Sequence, residues 1–216
     1  MLKKKFIGIF GGAFDPVHNA HIKIVENVHK CLKLDKIIFI PTGISPFNKN
    51  LTHYKHRMAM LNLVCVNKKF EVSDVEILKS ITSKEKSYTV NTLKNLFNTT
   101  DATYFFILGT DALSGLSDWY KWKEIIKYSH LIFIERQSSL LKDGLTKEIS
   151  NFIKKHKVNN ALDLKNKRSG LIYQVNMDFM DISSSNIVNK KINNSNITGL
   201  VPEDIERYIK KHQLYL

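Results

Sequence analysis

Apolar runs alternate with stretches of helical period along this chain. Six runs predict strands: Lys5–Phe10, Lys36–Pro41, Phe70–Asp74, Tyr104–Gly109, His130–Glu135 and Leu171–Asn176. Between them, apolar positions at helical spacing predict helices near Asn19–Leu34, Tyr54–Asn67, Tyr88–Leu96, Trp119–Tyr128 and Thr146–His156. Two more are expected near Ser184–Asn193 and Pro202–Lys211. FIGIF, KIIFIP and YFFIL are apolar nearly throughout, which suits parallel strands covered on both faces. Their alternation with helices predicts βαβ units with right-handed crossovers, hence an α/β, Rossmann-like doubly wound parallel sheet with helices on both faces. The polar, Lys/Asn-rich stretch Lys154–Ser169 reads as a surface connection. In the last segment, Pro202 precedes Ile205, Tyr208 and Ile209 on one side, an amphipathic helix packed on the domain.

Composition narrows this picture. At 216 residues and 43% hydrophobic, the chain can bury one core, so 1–216 is expected to be a single domain with a small C-terminal helical part over about 181–216. Cys31 and Cys65 lie in helix-like segments and read as small core residues of a protein in a reducing, cytoplasmic compartment. No apolar run approaches the roughly 18 residues of a membrane span. Lys3-Lys4-Lys5 before FIGIF imitates a signal peptide, but Gly11-Gly12 and Asp15-Pro16 break it early. The formal charge of +13 admits an anionic partner. Only four basic residues are Arg, while Lys, Asn and Ile abound, so a compositional origin outweighs nucleic-acid binding.

The chemistry gathers in FGGAFDPVHNAH, residues Phe10 to His21. A doubly wound sheet binds ligands beyond the carboxyl ends of its strands, and Gly11 and Gly12 fall there. Lacking side chains, they let phosphates or a ribose approach the backbone. The next helix is expected to begin near His18 or Asn19, with its free N–H groups favouring an anion. His21 heads the stripe Ile24, Val25, Val28 and Leu32, and His18 lies one turn earlier or at the cap. Both rings can thus face one phosphate pocket. Either alone would read as a cap or packing residue; the pair, after a strand and two glycines, favours phosphate. GxGxxG and GxxxxGK[ST] are absent. Helical zinc pairs usually sit at i,i+4 with a third ligand, so no metal ligand is expected from the chain itself.

GGAFDPVHNAH resembles the G-x-F-D-P-x-H-x-G-H signature of the nucleotidylyltransferase superfamily. Along almost its whole length the chain resembles the nicotinate-nucleotide adenylyltransferases. The further matches, in family order, are IPTGISPF at 40–47, SYT at 87–89, ILGTDAL at 107–113 and DWYKWKEI at 118–125. LIFIER at 131–136, DISSSNI at 181–187 and LVPEDIERYIKKHQLY at 200–215 complete them.

The resemblance implies transfer of the adenylyl group of ATP to nicotinic acid mononucleotide, giving deamido-NAD and pyrophosphate in NAD biosynthesis. Mg²⁺ would be held mainly by the ATP phosphates. It implies that His18 and His21 contact those phosphates, with His21 steadying the transition state. Phe10, Gly11, Gly12, Ala13 and Phe14 would line the nucleotide path. Gly109 would admit the ligand closely and Asp111 accept from ribose hydroxyls. Glu135 and Arg136 would stand by the adenine. Ser183 and Ser184, at a helix start, would make a second anion site, with simple capping as the bland alternative. On the mononucleotide side the implied residues are Thr42, Lys49, Thr89 and Trp119, with Trp119 stacked on the pyridine and Thr89 beside its carboxylate.

The chain departs from the family pattern in three places. Ala20 replaces the usual Gly. Ser45-Pro46-Phe47-Asn48 replaces P-P-H-K/R, with the basic group one place later at Lys49. Val188 stands where an Arg normally grips the ATP phosphates, and Lys191, more than Lys190, is the expected substitute. The rivals are an adenylyltransferase for nicotinamide mononucleotide or phosphopantetheine, and a basic nucleic-acid-binding protein. Against the last, no RGG tract, RNP motif or Arg-rich helix occurs. The expected partners are therefore small-molecule substrates, without nucleic acid or membrane; a homo-oligomer stays open.

Overall fold

In the computed structural model, described over residues 4–47, 50–66, 69–136, 145–177 and 180–216, with the backbone alone at 110, 111, 135 and 136, the apolar runs become parallel strands. These are β1 (Phe6–Gly12), β2 (Lys36–Pro41), β3 (Phe70–Val72), β4 (Thr103–Leu108), β5 (His130–Arg136), β6 (Lys157–Val158) and β7 (Ile172–Met177). They lie in the order β3-β2-β1-β4-β5-β7-β6, every pairing parallel. The chain winds outward from β1 to β3, then returns to β4 beside β1 and winds the other way. The carboxyl ends of β1 and β4 therefore form the switch point where doubly wound sheets hold ligands.

Helices cover both faces, and alternate strand residues explain why. Phe10, Phe105, Ile107, Ile132 and Ile134 join one core with Val25 and Val28 of α1 (Asn19–Leu32), Met60 and Leu61 of α2 (Tyr54–Val64), and Ile205 and Ile209 of α10 (Glu203–Lys211). Ile9, Tyr104, Phe106, Leu131 and Phe133 join the other, with Val90 and Leu93 of α4 (Thr89–Thr99) and Ile125 of α6 (Ile125–Tyr128). Ile149 of α7 (Lys147–His156) belongs to that second layer. A strand apolar at every position is what a sheet buried on both faces requires.

Four local expectations need correction. A helix, α3 (Val75–Thr82), follows β3 where none was expected; Asp74, read as the end of the strand, is instead its N-cap, and the strand stops at Val72. The Lys154–Ser169 stretch is more than a surface connection. It completes α7, supplies the edge strand β6 and forms α8 (Asp163–Asn166), whose Leu164 is fully buried in the core. The helix expected over Trp119–Tyr128 is broken instead. After α5 (Thr110–Ser114) come 3-10 turns at Leu116–Asp118 and Trp122–Glu124, and Lys121 between them is left-handed at φ 50°. Finally, Cys31 is exposed and Cys65 half-buried at the end of α2, so only Cys65 approaches a core position. Burial pushes the Cys65 thiol up to about 12, which keeps it protonated and unreactive.

No described helix is long and apolar enough to cross a membrane. The final helices, α9 (Ser184–Ile192) and α10, pack on the face that carries α1.

Candidate active site

β1 runs past its partner on one side. Its pairing with β4 ends at Phe10↔Ile107, whereas its pairing with β2 continues to Gly12↔Pro41. Gly11 and Gly12 thus overhang the switch point, and Gly109 follows β4 directly. Two clefts open there and share a wall of Phe10, Gly11, Gly109 and Ala112. One, of about 270 Å³, runs toward α1 and α9; the other, of about 500 Å³, runs toward α3, α4 and the turns around Trp119.

The smaller cleft holds the histidines. His18 is the N-cap of α1, extended at φ −145°, and its backbone N–H donates to His21 Nδ1 at 3.3 Å. The two rings stack with centroids 3.6 Å apart and planes 22° from parallel. Phe10 and Phe14 stand edge-on to His21 at 5.8 and 5.2 Å. Because Nδ1 of His21 accepts, the proton of its neutral ring sits on Nε2. Burial lowers the His18 pKa to about 4. Burial, and then the charge of His18, hold His21 well below the ordinary histidine value. Both rings are therefore neutral around pH 7.

Opposite them, Ser183 caps α9 by accepting from the Asn186 N–H at 3.2 Å, and Ser184 Oγ donates to the Pro16 carbonyl at 2.9 Å. Both serines line the cleft. The capping role is real, and the same side chains still face the space where an anion would lie. The apolar end of the cleft is formed by Ile24, Ile134, Met177, Met180 and Ile182, a surface suited to a base. Lys23 lines the same cleft; it is the sole Lys or Arg side chain that does so among the described residues. Sequence reasoning passed over it, although it lies two positions after His21.

The larger cleft takes its floor from Gly12 and Ala13 and its walls from Thr42, Thr89 and Trp119. Gly12 and Ala13, expected on the ATP path, thus face this second space. A Cβ on Gly12 would stand 3.1 Å from the Phe14 ring, so the glycine permits the tight turn over that side chain. Trp119 does not head a helix; it is held extended between the two turns, edge-on to Phe106 at 6.2 Å. Thr89 opens α4, where the first backbone N–H groups lack helical acceptors. Glu76 also lines this cleft and was missed, because it lies on the unexpected α3. Its carboxylate accepts from Thr92 Oγ1 at 2.8 Å, and burial raises its pKa against the lowering effect of the Thr92 and Ser87 hydroxyls. Gly43 lets the neighbouring loop close on α3, since a Cβ there would come within 2.3 Å of the Glu76 carbonyl oxygen.

The remaining expected residues fall elsewhere. Phe14 lines neither cleft; its buried ring backs His21. Lys190 and Lys191 sit half-buried in the last turn of α9, outside the residues that line the smaller cleft. Asp111 is the second residue of α5, and Glu135 and Arg136 end β5, but their side chains lie outside the described residues, as does Lys49. Among the described residues no three His, Cys, Asp or Glu side chains gather to hold a metal ion.

Comparison with known proteins identifies the family. A family model described as cytidylyltransferase-like matches residues 9–190. A protein of Fusobacterium nucleatum named as a probable nicotinate-nucleotide adenylyltransferase is 36% identical over 96% of this chain and 98% of its own length. One of Clostridium novyi with the same name is 35% identical over 99% of this chain and all of its own length. The solved structure of Plasmodium falciparum nicotinic acid mononucleotide adenylyltransferase complexed with NaAD shares the fold, with a TM-score of 0.73 at 21% identity over 98% of this chain and 97% of that one. With the signature loop, the histidine pair and the two joined clefts in place, the chain belongs to the cytidylyltransferase-like family, among its nicotinate-nucleotide adenylyltransferase members.

Proposed function

We propose that this protein transfers the adenylyl group of ATP to nicotinic acid mononucleotide, releasing pyrophosphate and deamido-NAD. The observation that carries the reading is the meeting of two clefts at the switch point, with the stacked imidazoles at the mouth of one. ATP fits the smaller cleft, its base against the apolar end and its phosphates between the histidines and the amino end of α9. The mononucleotide fits the larger cleft, with the pyridine beside Trp119. Its carboxylate points to the amides at the start of α4, which donate without needing an acceptor in return.

In the reaction, an oxygen of the mononucleotide 5′-phosphate bonds to the α-phosphorus. The bond from that phosphorus to the bridging oxygen of the β-phosphate breaks, and pyrophosphate takes the electron pair. No protein nucleophile is needed; what matters is alignment and a home for the charge. His21 donates from Nε2 toward the phosphate oxygens, fixed in that tautomer by the His18 amide. Ser183, Ser184 and the α9 amides offset charge on the other side. Mg²⁺ would be held mainly by the ATP phosphates rather than by side chains and would supply further charge compensation there.

The test is a pyrophosphate-release assay with ATP and Mg²⁺, offering nicotinic acid mononucleotide, nicotinamide mononucleotide or phosphopantetheine. The acid mononucleotide should react fastest. No release with it would overturn the reading.

A further inference from the structure

Phe14 occupies a conformation that a bulky residue avoids, φ 49°, with its ring 1% exposed. Such a conformation persists only where the surroundings over-determine it. The segment 13–16 is held by groups from three distant parts of the chain. The Asp15 carboxylate accepts from the Tyr215 hydroxyl at 2.6 Å through Oδ1 and from the Thr52 N–H at 2.7 Å through Oδ2. Arg57, 2% exposed, donates from Nη1 to the Ala13 carbonyl and from Nε to the Thr52 carbonyl, each at 2.9 Å. Ser184 holds the Pro16 carbonyl.

The inner side of this segment is the catalytic side. The Phe14 ring is the wall behind His21, and Ala13 faces the cleft assigned to the acceptor. Tyr215 belongs to the turn after α10, is itself left-handed at φ 61°, and packs against the core that carries α1. Burial and the adjacent Asp15 carboxylate keep its phenol protonated, and so a donor.

We infer that Tyr215, with Arg57, is a positioning residue: acting through Asp15 and Ala13, the C-terminal turn sets residues 13–16 so that Phe14 holds the His21 imidazole in register for adenylyl transfer. The proposal rests on the reaction given above for the same site. It touches neither substrate. Removing the Tyr215 hydroxyl leaves a partly buried carboxylate short of a donor, and the segment is then free to shift. A small displacement at the reacting centre is costly in rate even when binding survives.

The experiment compares Tyr215→Phe with Tyr208→Phe. Tyr208, on α10 just before that turn, bonds His56 Nδ1 at 3.1 Å and makes no hydrogen bond to residues 13–16. Tyr215→Phe should lower kcat by roughly tenfold or more while both KM values stay within about twofold. Tyr208→Phe, assayed equally far below its own Tm, should keep wild-type kcat. Asp15→Asn, which can still accept from Tyr215, should fall less than Asp15→Ala. The Tyr215→Phe/Asp15→Asn double variant should lose no more than the worse single one. A readout independent of turnover is the ring NMR signal of His21 in the free protein, assigned by its loss in His21→Gln. Tyr215→Phe should shift it and Tyr208→Phe should not. Wild-type kcat in Tyr215→Phe, an equal loss in Tyr208→Phe, or an unmoved His21 signal would each overturn the proposal. A wild-type protein inactive on nicotinic acid mononucleotide would instead overturn the reaction, with the His21 signal still deciding the positioning role.

Discussion

The imidazole of His21 lies face to face with that of His18, 3.6 Å between centroids, and its Nδ1 accepts a hydrogen bond from the His18 backbone N–H. Two stacked rings this close cannot both carry charge cheaply, and burial already disfavours the charged forms. An incoming triphosphate reverses the balance, because a nearby anion stabilises imidazolium. With saturating Mg²⁺, ATP affinity should therefore rise as pH falls from 8 to 6. Calorimetry at pH 6.5 in buffers of different ionisation enthalpy should show net proton uptake on binding. Because Nδ1 of His21 already accepts the His18 N–H, the proton taken up belongs to the His18 ring. His18→Ala should flatten the trend; ATP binding without proton uptake would mean the rings stay neutral beside the phosphates.

His21→Ala separates chemistry from folding. The side chain accepts one hydrogen bond of 3.3 Å at a helix start, worth about 1 kcal/mol. Its loss from a transition-state contact should cost roughly 100- to 1,000-fold in kcat. Turnover near the wild-type value, with folding intact by circular dichroism, would reduce the ring to packing.

The sheet was legible because its signals are local. FIGIF, KIIFIP and YFFIL read as doubly covered strands, and their residues do divide between the two cores. The histidine pair was legible for the same reason: a glycine pair, a helix start and a three-residue spacing all lie within Phe10–His21. What was hidden was either unsignalled or distant. No Gly or Pro announces the break at Lys121, so Trp119 read as helical. The edge strand β6 has two residues, Lys157 and Val158, too few to show a period. The Asp15–Tyr215 bond spans 200 positions, and nothing in either neighbourhood names the other. Lys23 belongs to no motif, and only the folded cleft shows what it faces.

That cleft decides among the lysines. Val188 leaves α9 without the Arg expected there, and Lys191 ends the helix away from the lining. Lys23 has no ion-pair partner among the described residues and faces the space assigned to ATP. A lysine there acts as a mobile point charge rather than a bidentate clamp. Lys23→Ala should raise KM for ATP several-fold, more than Lys191→Ala or Lys190→Ala, and leave KM for the mononucleotide nearly unchanged. The shift should shrink with added salt. A larger effect at Lys191 would restore α9 as the source of the charge.

Acid should destabilise this fold through a histidine remote from the reaction. His130 begins β5, fully buried; its Nδ1 accepts from the Leu171 N–H and its Nε2 faces the Lys167 carbonyl, each at 3.2 Å. That pair of contacts fits only the neutral ring protonated on Nε2. Burial is the main cause that lowers its pKa to about 4, from 6.5 in an unfolded chain. The folded state thus resists a proton that the unfolded state accepts. Its contribution is complete above about pH 6.5, is lost as pH falls toward 4, and amounts to about 3 kcal/mol. His18 adds a loss of the same sign over the same window. Urea midpoints should accordingly fall between pH 7.5 and 4.5. In His130→Gln the curve should start lower and fall less steeply. An equal slope in wild type and variant would show that His130 takes up its proton in the fold as readily as in the unfolded chain.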